Sequence, residues 1–353
     1  MSEQTFISSK PFTLENGSQL PSLEVVYHTF GKLNKEKNNV IWACHALTAN
    51  SDVFNWWQGL FGEKSLFNAN DYFIVCANNL GSCYGTTGPL STNDYSKQAW
   101  FSCFPLITMR DMVSAHDLLR EHLGIKQIKV LIGGSQGAQQ VLEWSIIQPA
   151  LAEHSIIIAS NAKQSPWAIA FNESQRLAIK ADRTYYSNTP NGGLKGLAAA
   201  RSIALLSYRN YNTYLETQAE HNNESTSEFK AAAYQRYQGE KLINRFNAYS
   251  YITLLNAMDS HNVGRARNSA EEALKEIKSK TLVIGIRSDL LFPLVEQEFI
   301  AKHIRNSSFK IIDSLYGHDG FLLETEKLAV IISDFLKEKQ KQNRKTQLYH
   351  NSK

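Results

Sequence analysis

No apolar run among the 353 residues approaches the ~18 that a membrane-spanning helix requires, so no membrane partner is expected. The opening residues Met1-Ser2-Glu3-Gln4-Thr5 offer neither the basic nor the apolar stretch of an export signal, which makes a cytoplasmic protein the expectation. Cysteine is scarce. Cys44, Cys76, Cys83 and Cys103 fit no zinc or redox spacing and read as reduced, mostly buried, small apolar residues, so no metal site is expected. Excess charge is slight as well. The net +4 is accounted for by the stretch from Lys337 to Lys353, with six Lys/Arg against one Glu, and a nucleic-acid surface is not indicated. Internal repeats are absent. What is present is 43% hydrophobic and 20% charged residues, enough for a large buried core and incompatible with a disordered or collagen-like chain.

Near the start, Phe12-Thr13-Leu14 and Leu23–Tyr27 flank the turn signal Asn16-Gly17 and read as early antiparallel strands. Short apolar runs then recur at Val40–Cys44, Tyr72–Ala77, Lys129–Ile132, Ser155–Ala159, Thr281–Ile286 and Phe309–Ile312. Helical patterns at Thr108–Leu123, Ala138–Gln148 and Val295–His303 separate several of them, which predicts a mostly parallel sheet covered by helices. The alternation breaks between Asn161 and Ser279. Helical spacing dominates there, at Trp167–Ala181, Leu194–Tyr208 and Ala248–Met258, with loops at Asn188–Gly193 and His221–Ser227. The expected organisation is a core over 1–160 and 280–336, a helical lid insertion over 161–279, and a disordered basic tail over 337–353.

Gly133-Gly134-Ser135-Gln136-Gly137 carries the sharpest chemical signal. A G-x-S-x-G string means little alone, but this one lies between a strand and a helix, as a nucleophile elbow requires. Glycines remove the Cβ atoms that would clash in so sharp a turn, and the helix N-terminus favours developing negative charge at the serine. A serine hydroxyl needs a base to take its proton, and the base needs an orienting carboxylate. Asp289 follows the run ending at Ile286, and His318 lies in a Gly-flanked loop after the run ending at Ile312, in the order Ser, Asp, His. Asp313 competes for the acid role but lies too near the last strand. His116, His122 and His303 lie on helical patterns and read as surface or packing residues. An oxyanion needs two N–H donors, one from Gln136 and one from the loop Cys44–Thr48. His45 in that loop reads as a loop-shaping residue.

These residues resemble the homoserine O-acetyltransferases of the α/β-hydrolase superfamily, over about Phe12 to Leu336. The likeness rests on His45-Ala46-Leu47-Thr48, Asn78 through Pro89, Thr108 through Val113, the elbow through Trp144, Ala199-Ala200-Arg201, Ser288 through Pro293, and Gly317-His318-Asp319. It implies an α/β-hydrolase fold with Ser135, Asp289 and His318 as the catalytic triad and Leu47 and Gln136 as the oxyanion donors. It further implies that Arg201 binds the homoserine carboxylate, with Tyr208 nearby and Asp319 facing the amino group. The implied activity moves an acetyl group from acetyl-CoA, a co-substrate with no permanently bound cofactor, to the hydroxyl of L-homoserine by a ping-pong acyl-serine route in methionine biosynthesis. A homodimer is implied too. Related enzymes use succinyl-CoA or serine, and hydrolases of this fold share the triad. Three positions depart from the family pattern: Gln136 in place of Met, Asn247 in place of Asp and Tyr249 in place of Asn.

Overall fold

The computed structural model describes residues 3–221, 224 and 226–350, with side chains described outside 339–350. Among the described residues there are ten strands: β1 (Glu3–Ser8), β2 (Phe12–Thr13), β3 (Gln19–Leu20), β4 (Leu23–Phe30), β5 (Val40–Cys44), β6 (Phe73–Ala77), β7 (Ile128–Gly134), β8 (Ala152–Ile158), β9 (Lys280–Ile286) and β10 (Ser307–Ile312). Eight of them form one sheet in the order β1-β4-β6-β5-β7-β8-β9-β10. Strand β4 runs antiparallel to both β1 and β6, and every other pairing in this sheet is parallel.

The two faces of the sheet are readable in single strands. In β5, Val40, Trp42 and Cys44 enter one hydrophobic cluster while Ile41 and Ala43 enter the other. In β9, Val283 faces the first cluster and Leu282, Ile284 and Ile286 the second. Side chains alternate across a strand, so both faces must be apolar where both are covered. The second cluster is covered by α1 (Val53–Trp56) together with Phe321, Leu328, Ile332 and Phe335 near the C-terminal end. The first is closed by α2 (Met109–His122) and α3 (Gln136–Ile147). Thr108 caps α2 in a reciprocal pair with Asp111, which fixes where that helix begins. His116 of α2 is buried between Trp42 and Trp144.

Between β8 and β9 the chain forms α4 (Pro166–Ala181), α5 (Leu194–Tyr208), α6 (Tyr211–Gln218), α7 (Lys230–Ile243), α8 (Ala248–Asp259) and α9 (Ala270–Lys275). The ends of this insertion meet: Val263 N–H donates to the Ala162 carbonyl and Gln164 N–H to the His261 carbonyl, both at 2.9 Å. Arg267 and Arg110 converge on the buried Glu143, at 2.7 and 3.3 Å. The insertion thereby leaves and rejoins the core at one anchored place. After it come α10 (Leu294–His303), α11 (Gly320–Leu323) and α12 (Thr325–His350).

Several expectations need correction. Asn16-Gly17 does turn the chain, with Gly17 at φ +84, but it joins β2 to β3 in a separate two-stranded ribbon. The strand from Leu23 pairs with β1. Polar residues at Gln4, Thr5 and Ser8 hid that edge strand. Helices α6 and α7, rich in Asn, Gln, Lys and Tyr, show no clear apolar stripe in the sequence. Residues 337–350 continue α12 where a disordered tail was expected. Lys, Gln, Glu and Leu are good helix formers, and no Gly or Pro interrupts 325–350. Residues 351–353 of that tail, and 222, 223 and 225 of the polar loop, lie outside the described residues.

Candidate active site

Ser135 occupies the turn between β7 and α3 at φ 56°, ψ −126°, a left-handed φ that side chains rarely adopt. The turn holds because its neighbours lack side chains. A Cβ on Gly137 would lie 2.1 Å from the Cys44 carbonyl oxygen, and one on Gly133 2.4 Å from the Gly137 backbone. The hydroxyl of Ser135 is thereby aimed off the strand end, 2.8 Å from His318 Nε2.

His318 lies beyond β10 in a short turn begun by Gly317 at φ +60. Its Nδ1–H donates to Asp289 Oδ2 at 2.7 Å. The other carboxylate oxygen of Asp289 accepts the backbone N–H groups of Leu291 and Phe292, both at 2.9 Å. Each group is thus oriented by the next. The rings of Phe292, Phe321 and Tyr208 surround the imidazole, with centroids 5.3, 5.4 and 5.8 Å away. Burial works against the charged imidazolium. The charge and hydrogen bond of Asp289, with a smaller contribution from Asp319, win, and His318 is held above the ordinary histidine value. A base so placed accepts the serine proton and returns it within one constellation.

Gln136 is the first residue of α3, and N–H groups in a first helical turn have no intrahelical acceptor. Leu47 is buried in the loop after β5. That loop is fixed by His45, whose Nδ1–H donates to the Ala46 carbonyl at 2.9 Å and whose Nε2 accepts the Asn79 N–H at 3.0 Å. Burial pushes His45 down to about 4, so it stays neutral with both nitrogens employed. The Gln136 amide oxygen accepts from Asn79 Nδ2 at 3.2 Å, so the departure from Met ties the elbow to the same loop. Asn79 was not singled out in the sequence; only the folded loops bring it between His45 and Gln136.

On the other side of His318 stands α5. The Arg201 guanidinium carbon lies 5.4 Å from the Tyr208 ring centroid, and among the described residues Arg201 pairs with no carboxylate. Asp319 lies next to the base, with Oδ2 3.2 Å from Arg209 Nε, a pairing that no local sequence pattern signals. Two departures prove to be structural. Asn247 caps α8 by accepting the Ser250 N–H at 2.8 Å, as an aspartate would. Tyr249 stacks on Tyr185 and donates to the Tyr185 carbonyl at 2.7 Å. Asp313, the rival acid, pairs with Arg287 on the surface instead.

A serine on a strand–helix elbow, a base and acid from later strand ends, and a mostly parallel sheet interrupted by a helical insertion define the α/β-hydrolase superfamily. The family profile described as alpha/beta hydrolase fold matches residues 39–325. Within that superfamily the chain belongs to the homoserine O-acetyltransferase family. It is 48% identical over 335 residues to the homoserine O-acetyltransferase of Cyclobacterium marinum, covering 95% of each chain. It also superposes on the crystal structure of homoserine O-acetyltransferase from Staphylococcus aureus with a TM-score of 0.80 and 29% identity, covering 95% of each. Esterase E22 shares the fold at a TM-score of 0.86 and 22% identity, over 95% of this chain and 99% of that one.

Proposed function

We propose that this chain transfers an acetyl group from acetyl-CoA to the hydroxyl of L-homoserine, a step of methionine biosynthesis, through an acyl-serine intermediate. The observation that carries the reading is the continuous relay Ser135–His318–Asp289, at 2.8 and 2.7 Å, flanked by the unpaired Arg201 and the carboxylate of Asp319. His318 Nε2 takes the Ser135 proton as Oγ attacks the thioester carbonyl. The N–H groups of Leu47 and Gln136 stabilise the oxyanion. Its collapse breaks the C–S bond, and the departing thiolate takes the proton from His318. In the second half His318 takes the homoserine hydroxyl proton, that oxygen attacks the acyl-serine ester, and Ser135 leaves with the proton returned to it.

Acceptor recognition follows from charge. A guanidinium binds a carboxylate through two hydrogen bonds, so Arg201 takes the homoserine carboxylate and Asp319 its ammonium. Tyr208 lies between Arg201 and the His318 ring and forms the wall linking them. Homoserine then lies across the base with its hydroxyl oriented, an advantage water does not share. The insertion over 161–279 acts as a lid. Acetyl-CoA is a co-substrate that leaves as CoA, and no resident cofactor takes part. We place the protein in the cytoplasm, where its four free cysteines remain reduced. Leu206, Tyr211, Leu215, Phe229 and Tyr237 are exposed along α5 to α7, which supports a homodimer joined through the insertion. Light scattering of the wild type and of Leu215→Glu tests it; a wild-type monomer overturns it.

The reaction itself is tested by incubating the protein with acetyl-CoA or succinyl-CoA and with homoserine or serine, then identifying the products by mass spectrometry. Acetylated Ser135 without acceptor and O-acetylhomoserine with it are expected. Free acetate as the main product in the presence of homoserine would instead make the protein an esterase of the same fold.

A further inference from the structure

The loop that carries the base is held by the insertion at more points than substrate binding alone requires. Asn210 Nδ2 and Thr213 Oγ1 both donate to the Leu315 carbonyl, the first at 3.1 Å. A Cβ on Gly317 would come within 3.0 Å of the Tyr208 carbonyl oxygen and 3.2 Å of the Arg209 carbonyl carbon, so the two segments lie flush. Arg209 terminates α5 in extended conformation, at φ −107° and ψ 179°, which turns its side chain out of the helix row. Its guanidinium carbon lies 5.6 Å from the Tyr316 ring centroid, and its Nε approaches one oxygen of Asp319. Among the described residues the other oxygen, Oδ1, has no partner.

We propose that Arg209 is a positioning residue for the acceptor: its guanidinium forms an ion pair with one carboxylate oxygen of Asp319, by charge and proximity rather than an aligned hydrogen bond, and leaves the second oxygen free for the ammonium of homoserine. The inference rests on the reading that Asp319 receives that ammonium, and it adds a residue on which that reading depends. The division of labour between two arginines of one helix follows from their partners. Among the described residues Arg201 has no carboxylate partner and can take one from the substrate; Arg209 already has one and orients it. Arg209 also tempers the field at the base. His318 is faced by Ser135 from the elbow, Asp289 from the β9 loop, Tyr208 from α5 and Asp319 beside it, with Arg201 and Arg209 next in line. Asp319 favours the imidazolium. An arginine on Asp319 offsets part of that influence, and its loss should strengthen it.

The test separates the half-reactions by rapid mixing: CoA release from acetyl-CoA alone, then acetyl transfer to added homoserine, each across pH. In Arg209→Gln the homoserine concentration for half-maximal transfer should rise by about tenfold, as expected for one charged hydrogen bond, with acylation much less affected. The acid limb of the acylation rate should move to higher pH in Arg209→Gln and to lower pH in Asp319→Asn. Arg209→Lys should keep the limb near the wild-type position and still bind homoserine more weakly, because a lysine ammonium carries the charge but not the guanidinium's shape against Asp319 and Tyr316. An unchanged homoserine dependence together with an unmoved limb overturns the proposal. So does an equal loss in both half-reactions with the limb unmoved, which marks Arg209 as packing only. Wild-type protein that forms no acyl-enzyme, or transfers nothing to homoserine, fails one stage earlier and overturns the parent reading, a result distinct from any behaviour of the variants.

Discussion

Ser135, Asp289 and His318 leave the sheet from β7, β9 and β10, whereas Arg201, Tyr208 and Arg209 belong to or follow α5 in the insertion. The first group is nearly dry: Ser135 is 6% exposed, Asp289 4% and His318 2%. The side chains of all three are hydrogen-bonded, down to the two N–H groups on Asp289 Oδ1. The second group is half-buried, and among the described residues the guanidinium of Arg201 pairs with no carboxylate; across from it, in the loop after β10, Asp319 keeps Oδ1 without a partner. Rigid strand ends fix geometry to a few tenths of an ångström, which proton transfer needs. On the proposed reading, Arg201 of the insertion and Asp319 of the last loop supply charges whose partners arrive with the substrate. Esterase E22 shares this fold, so the proposed acyl transfer is expected to depend on the charges beside the triad rather than on the sheet.

Breaking the sheet side should have the largest effect. Ser135→Ala should abolish acetyl labelling and reduce turnover by roughly 10⁴-fold or more, because members of a triad act as a unit. Intact-mass measurement after acetyl-CoA addition checks it, and full activity would refute the mechanism. Asp289→Asn should cost about 10³–10⁴-fold in kcat by leaving the imidazole wrongly oriented. Its pH profile sharpens the comparison. His318 must be neutral to act as base, and Asp289 holds it above the ordinary value, so wild-type activity falls as pH drops through a raised limb. In Asp289→Asn the residual activity should persist to lower pH; an unmoved limb would show that Asp289 has no electrostatic role.

Changes on the insertion side should be smaller and selective. Arg201→Ala should weaken transfer to homoserine by about ten- to a hundredfold, the worth of a charged hydrogen bond, and impair acylation of Ser135 much less. Equal losses in the two steps would remove Arg201 from acceptor binding. The smallest effect belongs to Asn247→Ala. Losing the cap on α8 should lower stability by about 1 kcal/mol, read by urea denaturation, with the substrate dependence of both half-reactions preserved. A changed homoserine dependence would show that this family departure reaches the site.

The alternation of strands and helices, the elbow, and the order and strand-end placement of Ser135, Asp289 and His318 are legible in the amino-acid order. Those features are local: a Gly pattern, an apolar run and a turn report on their own few residues. It also marked the interval 161–279 as helical, and α5 falls at Leu194–Tyr208 as read from its spacing. Tertiary structure alone decided the rest. β1 is an edge strand with polar residues, and its partner in β4 rather than its composition makes it a strand. Asn79 joins His45 to Gln136 only because β6 lies beside β5 and the loops after them converge. Arg209 reads in sequence as one more cation ending a helix, a place where cations are common. Its meaning comes from Asp319, more than a hundred residues away, and a pairing of that kind is set by how the insertion docks on the last strand's loop rather than by any local pattern.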